Sequence, residues 1–266
     1  MVNMIKSLNY CARRSMLILI TIISVLALPV LVILFDRNYD SGVAVAMTPS
    51  RYFGQQIMAN LYLLYFVAIL IIACNIMASD ADDKTINYEI LAGHGRSRIF
   101  FARVITAHMW ATLLMEILMI IPLGYLDLIY GWGPETDKRG VIIRCLLLLF
   151  PTFRFVTFCI MISSLVRGAL KGGAICYAAG ILQIILTSVL SELSDVNIDY
   201  FFGVSTSIRL LVLTDVKEEV INGDTVYVLS TLLSDGELWK TIVSSLVAAF
   251  IYMIIAYVNF VRSDRD

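Results

Sequence analysis

Six apolar stretches, each long enough to cross a bilayer, constrain this chain more than any other feature. They run over residues 16–35, 57–78, 104–126, 141–164, 173–190 and 241–261 and are 18 to 24 residues long. A hydrocarbon core about 30 Å thick needs about 20 helical residues to span it. Because lipid offers backbone amides no partner, a helix is the conformation such runs must take. Together they fill about half of the 266 residues, and the pieces between them are short. The expected fold is therefore an all-α integral membrane protein, one membrane-spanning domain over residues 1–266. A sequence 59% apolar, with mean hydropathy +0.85, fits that reading. The net charge of −1 carries no basic face of the kind that binds nucleic acid.

The first apolar run is too long for a signal peptide's core and ends in Leu34-Phe35-Asp36, so an anchor that stays is expected. Lys and Arg collect in cytoplasmic loops. With the N-terminus inside, the inner segments carry eleven Lys and Arg in 53 residues, against seven in 85 for the outer ones. Both termini are thus expected in the cytoplasm. Residues 1–15 place Met4, Ile5, Leu8 and Ala12 at helical spacing among Lys6, Asn9 and Arg13, the pattern of a helix lying in the interface. The five cysteines form no CxxC pair and, with two histidines, no metal spacing, so they are read as small packing residues and no metal is expected.

The inner segment 79–93 reads as a short capped helix. Ser79 and Asp82 stand at capping-box spacing, and Asp80, Asp82 and Asp83 suit a helix N-terminus. Ile86, Ile90 and Leu91 form an apolar edge, Gly93 can end the helix, and Ser97 can cap the next one. Such a helix is too short to stand alone in water and needs a surface to pack on. The run Asp83-Lys84-Thr85-Ile86-Asn87-Tyr88-Glu89-Ile90-Leu91, followed by Arg96-Ser97-Arg98 and Arg103, resembles the coupling region of permeases of type-two ABC exporters. Lys84 stands where that family commonly has glycine, and the family's proline before the Ser-Arg pair is absent. Six spans, an N-terminal interfacial helix and a long loop before the last span are similar to the family too.

The resemblance implies a bacterial plasma-membrane subunit whose inner helix docks on a separate P-loop ATPase, with a second permease chain, identical or homologous, completing the core. Docking would fall to Asp83, Thr85, Ile86, Glu89, Ile90, Leu91, Arg96, Ser97 and Arg98. ATP and Mg would sit on the partner, since this chain has no GxxxxGK[ST] loop and is not expected to be an enzyme. Small permeases of this kind suggest export of an antimicrobial peptide or drug in self-immunity or resistance.

Ionisable residues inside spans mark function or structure. Glu116 lies about 18 Å, and Arg154 about 15 Å, from the inner ends of their spans at 1.5 Å per residue. The two are expected to pair across the hairpin of spans three and four, as a structural clasp or as part of a polar path with His108. That path supports an alternative function, an ion-coupled transporter or channel. Pro151 should kink span four. Gly172, Gly173, Cys176 and Gly180 give span five a small-residue face for close helix packing, within the chain or against a second one. In the loop 191–240, Asn222-Gly223 between Val- and Ile-rich runs predicts a small outer β-hairpin, and residues 208–213 an amphipathic or re-entrant helix.

Overall fold

The computed structural model describes residues 1–36, 48–54, 57–83, 86–166, 168–193, 199–213, 216–221, 224–231 and 233–262. In chain order they form α1 (Val2–Arg14), α2 (Met16–Asp36), α3 (Pro49–Gly54), α4 (Ile57–Asp83), α5 (Ile86–Leu91), α6 (Arg96–Tyr130), α7 (Lys138–Leu147), α8 (Leu149–Val166), α9 (Ala169–Leu193), a 3-10 turn (Asp199–Phe201), α10 (Gly203–Leu211), the strands β1 (Val216–Ile221) and β2 (Asp224–Leu229), and α11 (Asp235–Arg262). Among the described residues, five segments are long and apolar enough to cross a membrane, within α4, α6, α7–α8, α9 and α11. A sixth is added when α1 and the first part of α2, bent by 67° to each other, count as one. The chain is a multi-span membrane protein by the length and composition of its helices.

Helix α8 is the axis of the bundle and packs against α11, α4, α9, α6 and α10. Most of its side chains are buried, including Phe155, Val156, Cys159 and Ile160. Phe66 of α4 stacks on Phe155 at 4.3 Å. The outer helices present apolar side chains outward, such as Ile120 of α6, Leu182 of α9 and Phe250 of α11. That inside-out distribution suits lipid or another apolar surface, not water.

Local chemistry sets the helix ends. Gly131, at φ +72°, ends α6 where a side chain would be strained. Asp137 caps α7 by accepting from the Gly140 amide at 2.9 Å. Ser234 and Glu237 form a reciprocal capping box at the start of α11, with bonds of 3.3 and 3.1 Å. Span four runs through the junction of α7 and α8 at Leu148 as one segment: Leu148 keeps helical dihedrals, and the Leu148 and Thr152 amides donate to the Arg144 and Leu148 carbonyls at 3.0 and 3.1 Å. Pro151 lacks an amide for the Leu147 carbonyl and its ring crowds that turn. Pro122 lies inside an unbroken α6 of 35 residues, far longer than the 23-residue span expected there.

Helix α1 buries Met4 and Ala12 and lets Ile5 and Leu8 rest on the core. Its Asn9 amide oxygen accepts from the Trp110 indole at 2.9 Å, which fixes it across α6. At the opposite end of the bundle, β1 and β2 pair antiparallel with Ile221 opposite Asp224. The Asn222-Gly223 turn itself lies outside the described residues. Thr136 bridges to Leu229, and the Leu229 amide donates to the Glu135 carbonyl at 2.8 Å, tying this strand pair to the α6–α7 loop.

Candidate functional site

Between α4 and α6 the chain differs from its expected layout. Ser79–Asp83 do not begin a separate helix; they continue α4, because no glycine or proline interrupts them. The separate helix is only Ile86–Leu91, six residues, ended by Gly93 at φ +85°. Lys84 and Thr85 lie outside the described residues, as do the side chains of Asp83 and Ile86. Nor does Ser97 cap α6: Gly95 holds that position, and the Ser97 hydroxyl meets the Tyr257 hydroxyl at 3.0 Å.

What anchors α5 is an ion pair that sequence reasoning did not single out. The Arg103 guanidinium, fully buried, donates to the Glu89 carboxylate at 2.9 Å and to the Met77 carbonyl at 3.3 Å. It also lies 5.9 Å from the Phe260 ring centroid. One side chain thereby joins α5 to α4, α6 and α11. Arg96 adds a bond to the Val261 carbonyl at 3.1 Å. Ile90 packs on the core, while Leu91 is 82% exposed and Arg98 points outward. The expected docking residues therefore divide: Glu89, Ile90, Arg96 and Ser97 hold the element in place, and Leu91 and Arg98 face away from the protein.

Glu116 and Arg154 do not pair. Arg154, on the buried face of α8, donates to the carbonyls of Tyr200, at 3.1 Å, and Phe201 in the 3-10 turn. Its stem lies against Gly203, where an added Cβ would sit 3.5 Å from Arg154 Cδ. Glu116 is exposed on α6 and has no ion-pair partner among the described residues. The counted depths suggested a common height, but α8 turns Arg154 inward while α6 turns Glu116 outward. Glu116 instead lines an open groove of about 250 Å³ between α6 and α7, with Met119, Leu123 and Ile142 as apolar walls. Asp127 and Lys138, paired at 2.6 Å, border the same groove. His108 stacks on Phe153 at 4.2 Å and meets the Thr157 hydroxyl at 3.3 Å, so the three intramembrane groups go to three separate places.

Helix α10 is inserted among α8, α9, α4 and α7, with Gly203 to Ser207, Leu210 and Leu211 buried. A third buried arginine, Arg144 of α7, donates to the Leu210 carbonyl at 3.1 Å and the Thr231 carbonyl at 2.9 Å. The last carbonyls of a helix have no partner within it, and a cation there also faces the negative end of the dipole. Thr187 and Ser205 share a hydrogen bond of 2.7 Å between α9 and α10. At the rim, Arg209 bridges Asp199 at 2.9 Å and Glu237 at 2.7 Å. Burial raises the Tyr200 phenol's pKa, with the nearby Arg209 charge opposing it.

The small-residue face of α9 packs within the chain. A Cβ on Gly172 would come to 3.0 Å of the Ser163 hydroxyl, one on Gly173 to 3.3 Å of Leu70, and one on Gly180 would collide with the Phe66 ring. Cys176 is fully buried on the same face. Against the expectation of scattered thiols, its sulfur meets those of Cys74 and Cys159, all three within 4.8 Å of one another. No protein-family model matches the chain, and no curated protein matches its sequence.

Proposed function

We propose that the chain is the membrane-embedded permease subunit of an ATP-driven exporter, with energy supplied by a separate P-loop ATPase and the core completed by a second permease chain. The observation that carries this reading is the α5 corner. A six-residue helix has no stability of its own in water. Here it is held to three other helices through Arg103 while Leu91 stands 82% exposed beside the outward-facing Arg98. A rigidly mounted apolar side chain beside a cation suits insertion into a groove of a partner protein, and a push there would pass directly to α4, α6 and α11. The bent α1–α2 pair and the inserted α10 fit the same family resemblance.

In this reading both termini and α5 face the cytoplasm of a bacterial plasma membrane, and the strand pair faces outside. The apolar groove with its exposed Glu116 suits a cationic, amphipathic substrate, such as an antimicrobial peptide or drug. The ion-coupled alternative has less support, because Glu116, His108 and Arg154 form no chain of contacts. The test is affinity purification from the native host in mild detergent with identification of what accompanies the chain. A stoichiometric ATPase that is lost in Leu91→Asp, while the variant's helical content and melting are unchanged, supports the proposal. Purification of the chain without any ATPase overturns it.

A further inference from the structure

Three of the five cysteines come together from three different helices. Cys74 of α4, Cys159 of α8 and Cys176 of α9 are all buried, and their sulfurs lie within 4.8 Å of one another. Three sulfurs bonded at about 2.3 Å to one pyramidal centre stand about 3.5 Å apart, so side-chain rotations that draw them in by about 1 Å would close the triangle. The close approach of α9 to α8 that brings Cys176 in is made at Gly172, packed against Ser163. Ser163 lies one helical turn from Cys159 on the same face, and its buried hydroxyl has no hydrogen-bond partner. A groove of about 430 Å³, lined by Leu17, Val67, Leu70, Asn75 and Gly173, reaches Cys74 from outside the bundle.

We propose that this thiol triad is a binding site for a trivalent metalloid, arsenic(III) or antimony(III), taken up as its neutral hydroxide. Charge selects the oxidation state. Soft ions prefer thiolates, but the site is apolar, and a net charge left inside it would be strongly disfavoured. Three thiolates around copper(I) leave a charge of −2, and around zinc(II) −1 with a fourth ligand still required. Around arsenic(III) the charge is zero. The balance is complete without a redox step: three As–O bonds and three S–H bonds break, three As–S bonds form, and each thiol proton leaves on a hydroxyl as water. The neutral hydroxide can also enter an apolar groove where a hydrated cation would be excluded. The site stands independently of the exporter reading.

The test uses the full chain, reduced, in detergent micelles. Sodium arsenite is added, excess is removed, and bound arsenic is counted and its sulfur neighbours are measured by X-ray absorption. One arsenic per chain with three sulfur neighbours is expected. Cys74→Ser, Cys159→Ser and Cys176→Ser should each lower retained arsenic at least tenfold, while Cys11→Ser and Cys145→Ser leave it unchanged. The sulfur count in the unaltered chain decides even where a variant fails to fold. No retained arsenic, a two-sulfur site, retention in all three triad variants, or displacement by equimolar copper(I) would each overturn the proposal.

Discussion

Removing the Glu89 carboxylate tests how the α5 corner is held. Arg103 is fully buried, and Glu89 retains 27% side-chain exposure. Taking away one partner of a buried pair typically costs about 3–5 kcal/mol where no other group compensates the remaining charge. The Met77 carbonyl and the Phe260 ring remain beside Arg103, which lowers the expected loss for Glu89→Ala to about 2–3 kcal/mol. Arg103→Met restores an apolar side chain of similar length, and the carboxylate it leaves behind can turn to water. The double variant should therefore be more stable than Glu89→Ala alone, with a coupling energy of about 1–2 kcal/mol. Equilibrium unfolding in mixed detergent micelles, followed by far-ultraviolet circular dichroism across the four proteins, measures it. A coupling below about 0.5 kcal/mol, the usual limit for independent sites, would refute the assignment of Arg103 as the anchor of α5.

Three further outcomes are expected. Arg154→Met should release the segment 199–211, so that a cysteine placed at buried Ser205 becomes reactive toward a maleimide in that background but not in the parent; equal protection in both would count against the arginine as its fastener. Gly180→Ala should destabilise by about 1–3 kcal/mol through overpacking on Phe66, and Phe66→Leu should recover part of it in thermal melts. Tyr200 has its folded pKa raised, so it contributes stability that is fully present below its unfolded value near 10 and is lost as pH rises through the folded value. Unfolding measured from pH 9 to 11 should show a fall that Tyr200→Phe lacks, and identical profiles would remove the phenol from the account.

The helices were legible because apolar runs of spanning length leave the backbone few choices. Capping signals misled at Ser79, whose pattern suits a helix start but lies inside the uninterrupted α4. Depth along a span could be counted, yet the direction a residue faces depends on helix rotation, which is why Arg154 turned inward to backbone carbonyls and Glu116 outward. Arg154 and Arg144 bind backbone carbonyls of an irregular segment, and carbonyls carry no mark in a sequence. Arg103 stood in the quoted coupling pattern, but its partner Glu89 is fourteen positions away and became visible only once α5 folded back. The thiol triad escaped for a related reason: motif spacing detects ligands within one segment, and these come from three.

Two of the buried arginines, Arg144 and Arg154, stand on either side of Leu148 in span four and hold the α10 segment at its two ends. Arg144, on the α7 side, holds the end of α10 at Leu210, and Arg154, on the α8 side, holds the turn that leads into its start. Helix α10 is thus a strut laid against span four and fastened at both ends. Its nine residues extend about 14 Å at the rise of an α-helix. The inserted segment cannot slide along span four unless one of the two arginines lets go of its carbonyl, so its position is set from both ends by side chains of the span it lies against.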